Sequence, residues 1–370
     1  MNNMMSILFA SGNESKLNEL TLHRTTASLP FGGRYRLIDF TLSNLVNSGI
    51  TQVGIVTRSN YQSLMDHIRQ GRDWDLNRKN GGISVFPPFV YNSSREVYKG
   101  KIEAIYSIMS FLHHSPEQYV VITNCNIAAN IDFGKMYEKH IESGADLTML
   151  SHDSFTTSSR RVVIDRAENG LVTDIYETEV AGEDRKEISL NTYLIKKDLL
   201  IELVQKAYAR GQVDFEKDIL FHLVAEKKVY ALKVESYAAI IDDVRTYYNE
   251  SMNLLSDDVR HELFSRNHRI YTKVKDSVPT VYKAGANVKN SLLADGCVVS
   301  GTVENCVLFR NVRIEEGAVV KNSIIMENGV VGKNSSVKYA ITDKDVVISD
   351  DREIAGFSTY PIVIVKGKRV

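Results

Sequence analysis

Residues 318–341 read AVVKNSIIMENGVVGKNSSVKYAI. Val319, Ile325, Val331 and Val337 recur at every sixth position, with Asn, Gly, Lys and Ser between them. An inward aliphatic at six-residue intervals, spaced by turn formers, predicts a parallel β-helix built from hexapeptides. An ordinary β-sandwich is the competing reading of the same β-branched runs. In a β-helix each rung covers its neighbour, so the module is rigid and leaves faces free for assembly. Helix signals are absent from residue 284 onward. The six-residue register slips near Arg313 and Ile314, where a bulge or loop is expected.

Working back towards the N-terminus, residues 256–280 are polar and irregular and end in Asp276-Ser277-Val278-Pro279, which reads as a linker. Before it, strand and helix signals alternate. Ile7–Ala10 is a short buried strand, and Gln52–Thr57 is another. Residues 37–48 place Leu37, Phe40, Leu42, Leu45 and Val46 at helical spacing before Gly49 stops the helix. Further helices are expected around 60–70 and 102–114, followed by a strand at 119–123. This alternation predicts a mostly parallel sheet with helices on both faces, a Rossmann-like α/β domain. The expected division is 1–255 for that domain, 256–280 for the linker and 281–370 for the β-helix. Ligands of such sheets bind outside the carboxyl ends of the strands. The strand at 119–123 opens there into Asn124, Cys125 and Asn126, with no acid at its tip.

The chain has 370 residues, 43% of them hydrophobic and 25% charged, the balance of a soluble globular protein large enough to bury a core. A net charge of −1 gives no electrostatic case for nucleic acid or a membrane surface. Cys125, Cys297 and Cys306 are scattered without zinc-type spacing and point to a reducing compartment. The N-terminus reads as a first strand instead of a signal peptide, and no apolar run has the length of a membrane span. The expected location is cytoplasmic.

Five collinear segments carry a resemblance. They are PFGGRYRLIDFTLSNLVNSGI at 30–50, HIRQGRDWDLNRKNGG at 67–82, YKGKIEAIY at 98–106, DFEKDIL at 214–220 and LLADGCVVSGTVENCVLFRNVRIEEGAVVKNSIIM at 292–326. Together they resemble the bacterial ADP-glucose pyrophosphorylase (glucose-1-phosphate adenylyltransferase) family over nearly the whole chain. The resemblance implies a nucleotidyltransferase domain followed by a left-handed β-helix, a tetramer, and synthesis of ADP-glucose from ATP and glucose 1-phosphate with Mg²⁺.

Adenylyl transfer needs backbone N–H groups around the triphosphate, cations on the transferring phosphate and carboxylates for the metal. Aligned with the family, this chain departs from each. The phosphate loop A-G-G-x-G-[ST]-R-L is ASGNESKL at 10–17, so Gly12 is kept, the other glycines become Ser11 and Glu14, and the arginine becomes Lys16. Glu14 brings negative charge to a polyanion's place. The lysine of K-P-A-V-P-F-G-G is Thr26, and that of F-x-E-K-P is Thr178. The aspartate of S-G-D-H is Asn126, and that of W-R-D-V-G-T is Ile240, which cannot ligate Mg²⁺. Asp242 and Asp243 lie close by, and a slip of two in the alignment would promote one of them.

The pattern resembles the non-catalytic D-type branch of the family. It implies a regulatory subunit that joins a catalytic subunit in a heterotetramer, holds no catalytic or metal residues of its own, and leaves Mg²⁺ to that partner. A weakly active adenylyltransferase, a module that senses a nucleotide or sugar phosphate, and a structural spacer are the alternatives. Gly12, Trp74, Asp75, Tyr98 and Gly100 are expected to remain around the former substrate pocket, Trp74 alternatively as a packing anchor. His23, Arg24 and Arg36 are candidates for a sugar phosphate effector between the domains, or for ordinary ion pairs and surface. Isolated chains are expected to form homo-oligomers through the β-helix faces. Asp39 is expected to serve a helix start, and Cys125 to be inert.

Overall fold

The structure, a computed structural model, describes residues 3–12, 14–88, 98–154, 160–180 and 186–370. Among the described residues, nine strands form one sheet. Along its main path the order is Val172–Glu179, Arg160–Arg166, Lys186–Lys196, Tyr119–Asn124, Met4–Phe9, Gln52–Val56 and Gly82–Phe86. The last four pair in parallel. Lys186–Lys196 joins them antiparallel and also pairs with Leu147–Ser154, to which Val229–Lys233 adds in parallel. The parallel strands read as continuous apolar runs because both of their faces are covered; Met4, Met5, Ile7 and Leu8 are all buried. The expected helices are Leu37–Asn47, Gln62–Ile68, Lys101–Ser107 and Met109–His114.

The strand at 119–124 turns through Cys125 and Asn126 into Ile127–Ala129. That short strand pairs antiparallel with Ala238–Ile240, in the register Ile127 to Ile240. This pairing brings two segments more than a hundred residues apart to one strand tip, and the site is built on it.

The segment 256–280, expected as an irregular linker, opens with the helix Asp257–Leu263, whose Leu263 is fully buried. From Val281 the chain winds through three parallel sheets. Register partners Ile314, Val331 and Ile348 lie seventeen residues apart, as do Val303, Val320, Val337 and Ile354. The coil therefore steps by six, six and five residues, and the strict six-residue repeat does not hold throughout. Val320, and not Val319, points inward with Ile325, Val331 and Val337; Val319 is half-buried. No bulge or loop interrupts Arg313–Ile314, which is itself a strand paired with Val298–Val299 and Val330–Val331. The register slips about one coil earlier, between Val299 and Val303. There a Cβ on Gly301 would sit 2.3 Å from the carbonyl oxygen of Ala318, so only glycine fits so tight a corner.

Asparagines fill the left-handed corners. Asn305, Asn322, Asn311, Asn328 and Asn334 all have positive φ, a conformation that asparagine tolerates better than most residues. Their amides stack into ladders: Asn305 donates to Asn322, Asn311 to Asn328, and Asn328 to Asp345.

The two halves share a core. Phe31, Phe40, Tyr247 and Leu254 pack in one apolar cluster with Phe309, Ile324, Met326 and Ile341 of the β-helix. Tyr248 donates to the Asn322 carbonyl across this seam, and Arg24 pairs with Asp343 at 2.8 and 3.0 Å.

Candidate functional site

At the carboxyl ends of the parallel strands lies a cleft of about 330 Å³ whose lining includes Phe9, Ser11, Gly12, Arg58, Tyr98, Gly100, Lys101, Asn124 and Glu216. The strand Met4–Phe9 delivers Gly12, and the strand Tyr119–Asn124 delivers Asn124. Of the expected remnant residues, Gly12, Tyr98 and Gly100 meet here. Gly100 precedes the helix Lys101–Ser107, and a Cβ on it would lie 2.1 Å from the Val213 carbonyl oxygen. Trp74 and Asp75 do not line this cleft. Trp74 is buried in the core against His67, and Asp75 is solvent-exposed, bonded to Arg78. Trp74 therefore acts as the packing anchor that the sequence also allowed.

At the phosphate-loop end, the N–H of Gly12 donates to the Glu14 carboxylate at 2.9 Å. The Thr26 hydroxyl lies 2.5 Å from the Gly12 carbonyl and 3.3 Å from the same Glu14 oxygen, and the Thr26 N–H is 3.5 Å from it. Glu14 thus sits inside the loop, bonded to it. Lys16 is exposed, two residues into the short helix that Glu14 begins.

Two residues past Asn124, Asn126 is 7% exposed and donates to Asp242 at 2.7 Å and to the Ile241 carbonyl at 3.3 Å. The second oxygen of Asp242 faces the Arg161 guanidinium, and both side chains are 6% exposed. Burial pushes the Arg161 guanidinium down to about 10, against the opposing pull of Asp243, so it stays cationic at neutral pH. Arg161 lies directly across the antiparallel pair from Thr178, so the two side chains share a face. Ile240 is buried in the apolar core. Asp243 caps the helix Val244–Asn253, accepting from the Thr246 N–H at 2.7 Å. Of the two alternative acids, Asp242 alone meets Asn126. The partner it finds is Arg161, which no sequence signal marks.

Cys125 is fully enclosed, and burial pushes its thiol up to about 12, which keeps it an unreactive thiol. Arg58 donates to the Tyr98 carbonyl, and Lys101 pairs with Glu216.

Between the domains lies a second cavity of about 120 Å³, whose lining includes Arg34, Arg36, Lys273, Lys275, Arg310, Glu327 and Lys344. Burial lowers the basicity of Arg36, Lys273 and Lys344. Arg310 is 6% exposed; its Nε lies 3.7 Å from Asp295, and its Nη2 has no hydrogen-bond partner. Arg36 lines this cavity while donating to Ser63 at 2.6 and 3.0 Å. Arg24 does not line it; its guanidinium is committed to Asp343. His23 is exposed outside it. Asp39 accepts from the Arg36 N–H at the helix start and pairs with buried His67.

A sheet of this order with a strand-tip cleft, followed by a C-terminal domain of stacked coils, is the architecture of a nucleotidyltransferase joined to a hexapeptide-repeat β-helix. The Nucleotidyl transferase family matches residues 5–244, and the GlmU-like C-terminal hexapeptide family matches residues 276–358. The chain is 35% identical over 367 residues to the glycogen biosynthesis protein GlgD of Bacillus subtilis (strain 168), covering 99% of this chain and 96% of that one. It is 34% identical over 350 residues to the glucose-1-phosphate adenylyltransferase of Bacillus mycoides (strain KBAB4), covering 94% and 93%. The corresponding protein of Bacillus cereus (strain ATCC 10987 / NRS 248) matches at the same identity and coverage. The chain belongs to the glucose-1-phosphate adenylyltransferase, or ADP-glucose pyrophosphorylase, family. Among the described residues, no helix is long and apolar enough to cross a membrane.

Proposed function

We propose that the chain is a regulatory, catalytically silent subunit of ADP-glucose pyrophosphorylase, acting with a catalytic subunit in glycogen synthesis. The similarity to a glycogen biosynthesis protein and to adenylyltransferases supports the pathway. The observation that carries the silence is the strand-tip cluster. Where adenylyl transfer needs carboxylates around a metal, this chain offers the amide of Asn126, the side chain of Ile240, and an Asp242 already neutralised by Arg161. A hard divalent cation takes oxygen ligands and favours negatively charged ones, so this donor set does not fit Mg²⁺. The lysines of the family are absent at Thr26 and Thr178. Losing one such stabilising group costs a rate factor of about 10²–10³, and losses at both ends of the site compound. In this reading Mg²⁺ and turnover belong to the partner, within a heterotetramer in the cytoplasm.

The test is ADP-glucose formation from ATP and glucose 1-phosphate with Mg²⁺, by this chain alone, by the catalytic subunit alone, and by the mixture. Silence alone with a changed rate in the mixture is the expected result. Turnover by this chain alone, abolished by Asp242→Asn, would establish a weak enzyme in its place.

A second reading, compatible with the first, is that the chain senses a sugar phosphate at the interdomain cavity. The observation favouring it is the buried Arg310 Nη2 without a partner, among Arg34, Arg36, Lys273 and Lys344. A buried donor left unpaired is costly, and an anion would satisfy it. A ligand there changes the partner only through two states of different affinity. Thermal shifts with fructose bisphosphate, glucose phosphates and inorganic phosphate test this; no shift that Arg310→Gln removes would refute it.

A further inference from the structure

Beside the strand-tip cleft, the phosphate loop and the Asn126–Asp242 pair each hold a charged side chain of the chain itself. A loop that presents backbone N–H groups after a strand is an anion site. Here the Gly12 N–H donates to Glu14 at 2.9 Å, and Thr26 approaches the same oxygen through its hydroxyl and its N–H. The anion in the loop is thus a carboxylate two residues further along the chain. Past the tip of the strand Tyr119–Asn124, Asp242 is 4% exposed, and a carboxylate that deep needs a counter-cation. Arg161 supplies it, while Asn126 donates to the remaining oxygen at 2.7 Å. Arg161 stands across from Thr178, where a small hydroxyl takes the place of the family's lysine and sets no second cation directly opposite it.

We propose that the strand-tip site carries two internal ligands beside the cleft: Glu14 holds the phosphate loop in place of a nucleotide phosphate, and Arg161 holds Asp242 in place of a divalent cation. The inference rests on the silent-subunit reading and deepens it, by naming the groups that keep the site ordered. A free polyphosphate must displace a carboxylate that is tethered to the loop and therefore always present at high effective concentration. A divalent cation must settle beside a fixed guanidinium of like charge. Each internal ligand matches the charge sign of the species it replaces, so the backbone of the site persists without its substrates.

The experiment uses the full chain, with inorganic tripolyphosphate and Mn²⁺ as probes. Tripolyphosphate binding is followed by calorimetry in the unmodified chain and in Glu14→Gly. Mn²⁺ binding is followed by electron paramagnetic resonance in the unmodified chain, Arg161→Gln and Arg161→Lys. The unmodified chain and Arg161→Lys are expected to hold neither probe tightly. Glu14→Gly is expected to bind tripolyphosphate about tenfold tighter or more, because the Gly12 donor is released. Arg161→Gln is expected to take up Mn²⁺ and to melt higher in its presence. If Arg161→Gln does not fold by itself, its refolding yield is read with and without Mn²⁺; recovery supports the inference, and none overturns its metal half. Folded Glu14→Gly that binds tripolyphosphate no better than the unmodified chain overturns the phosphate half. These outcomes are distinct from failure of the underlying reading, which would appear as ADP-glucose formation by the unmodified chain alone.

Discussion

Asn322 and Asn126 belong to regions that use the same side chain in opposite ways. Asn322 is one member of a column: it occupies a left-handed corner, accepts from Asn305 one coil away, and has asparagine equivalents at several other corners, among them Asn311, Asn328 and Asn334. Asn126 is alone at a strand tip, bonded to an aspartate 116 residues distant, in a cluster with no second copy. The β-helix is specified redundantly, each coil repeating the instruction of its neighbour. The cleft is specified by a handful of unrepeated side chains, and changing a few of them rewrites its chemistry while the sheet stays the same. The family's fold and the family's reaction can therefore separate.

The comparison breaks first where an unrepeated charge is buried. Asp242→Leu leaves the Arg161 guanidinium without its counter-ion in a dry site, and a loss of about 3–5 kcal/mol is expected from denaturant midpoints. The double variant Asp242→Leu/Arg161→Met should recover most of it, which separates charge burial from packing. In the β-helix, Ile325→Ala removes an inward aliphatic and is expected to cost about 3 kcal/mol, at the middle of the range for buried large-to-small changes.

Glu327 sharpens the contrast through pH. Burial alone would raise its carboxyl above the ordinary 4.5, but Lys344 and Lys275 outweigh burial and hold it at about 2. The folded value is depressed, so the stabilisation is fully present above about 4.5 and is lost as pH falls through about 2. A contribution of about 1–3 kcal/mol is expected to disappear over that window, and Glu327→Gln should flatten this part of the acid-unfolding curve. The smallest effects belong to the repeated corners. Asn328→Ala is expected to cost about 1–2 kcal/mol for a left-handed φ and two lost ladder bonds, while Asn328→Gly should cost only a fraction of that.

The same contrast governs what can be read without a structure. The β-helix was legible because its signal recurs; even so, Val319 looked inward and Val320 is, since a coil of seventeen residues alternates steps of six and five. The slip expected at Arg313 lies a coil earlier, at the tight corner of Gly301, whose partner is a carbonyl on the next coil. In the cleft, the substitutions at Glu14, Thr26, Asn126, Thr178 and Ile240 could be read position by position against a motif. Their consequences could not. Glu14 looked like a repulsive charge, yet the loop folds around it. Arg161 carried no signal, because its meaning depends on a cross-strand neighbour at Thr178 and a carboxylate 81 residues later. Arg24 read as an effector ligand because its partner, Asp343, lies 319 residues away. Trp74 sat in a family-like segment but turned to the core, a choice that pattern alone leaves open.

The shared core across the seam bears on how such a chain can diverge. Phe31, Phe40 and Tyr247 bury themselves against Phe309, Ile324 and Met326, and the Arg24–Asp343 pair is dry. A crossover between this gene and that of a sister subunit, placed anywhere before Val281, would set one half's apolar face against a surface shaped for another. Recombinants of that kind start life destabilised and are purged. Diverging copies within such a family are therefore expected to drift apart as whole genes, each keeping its own matched domains.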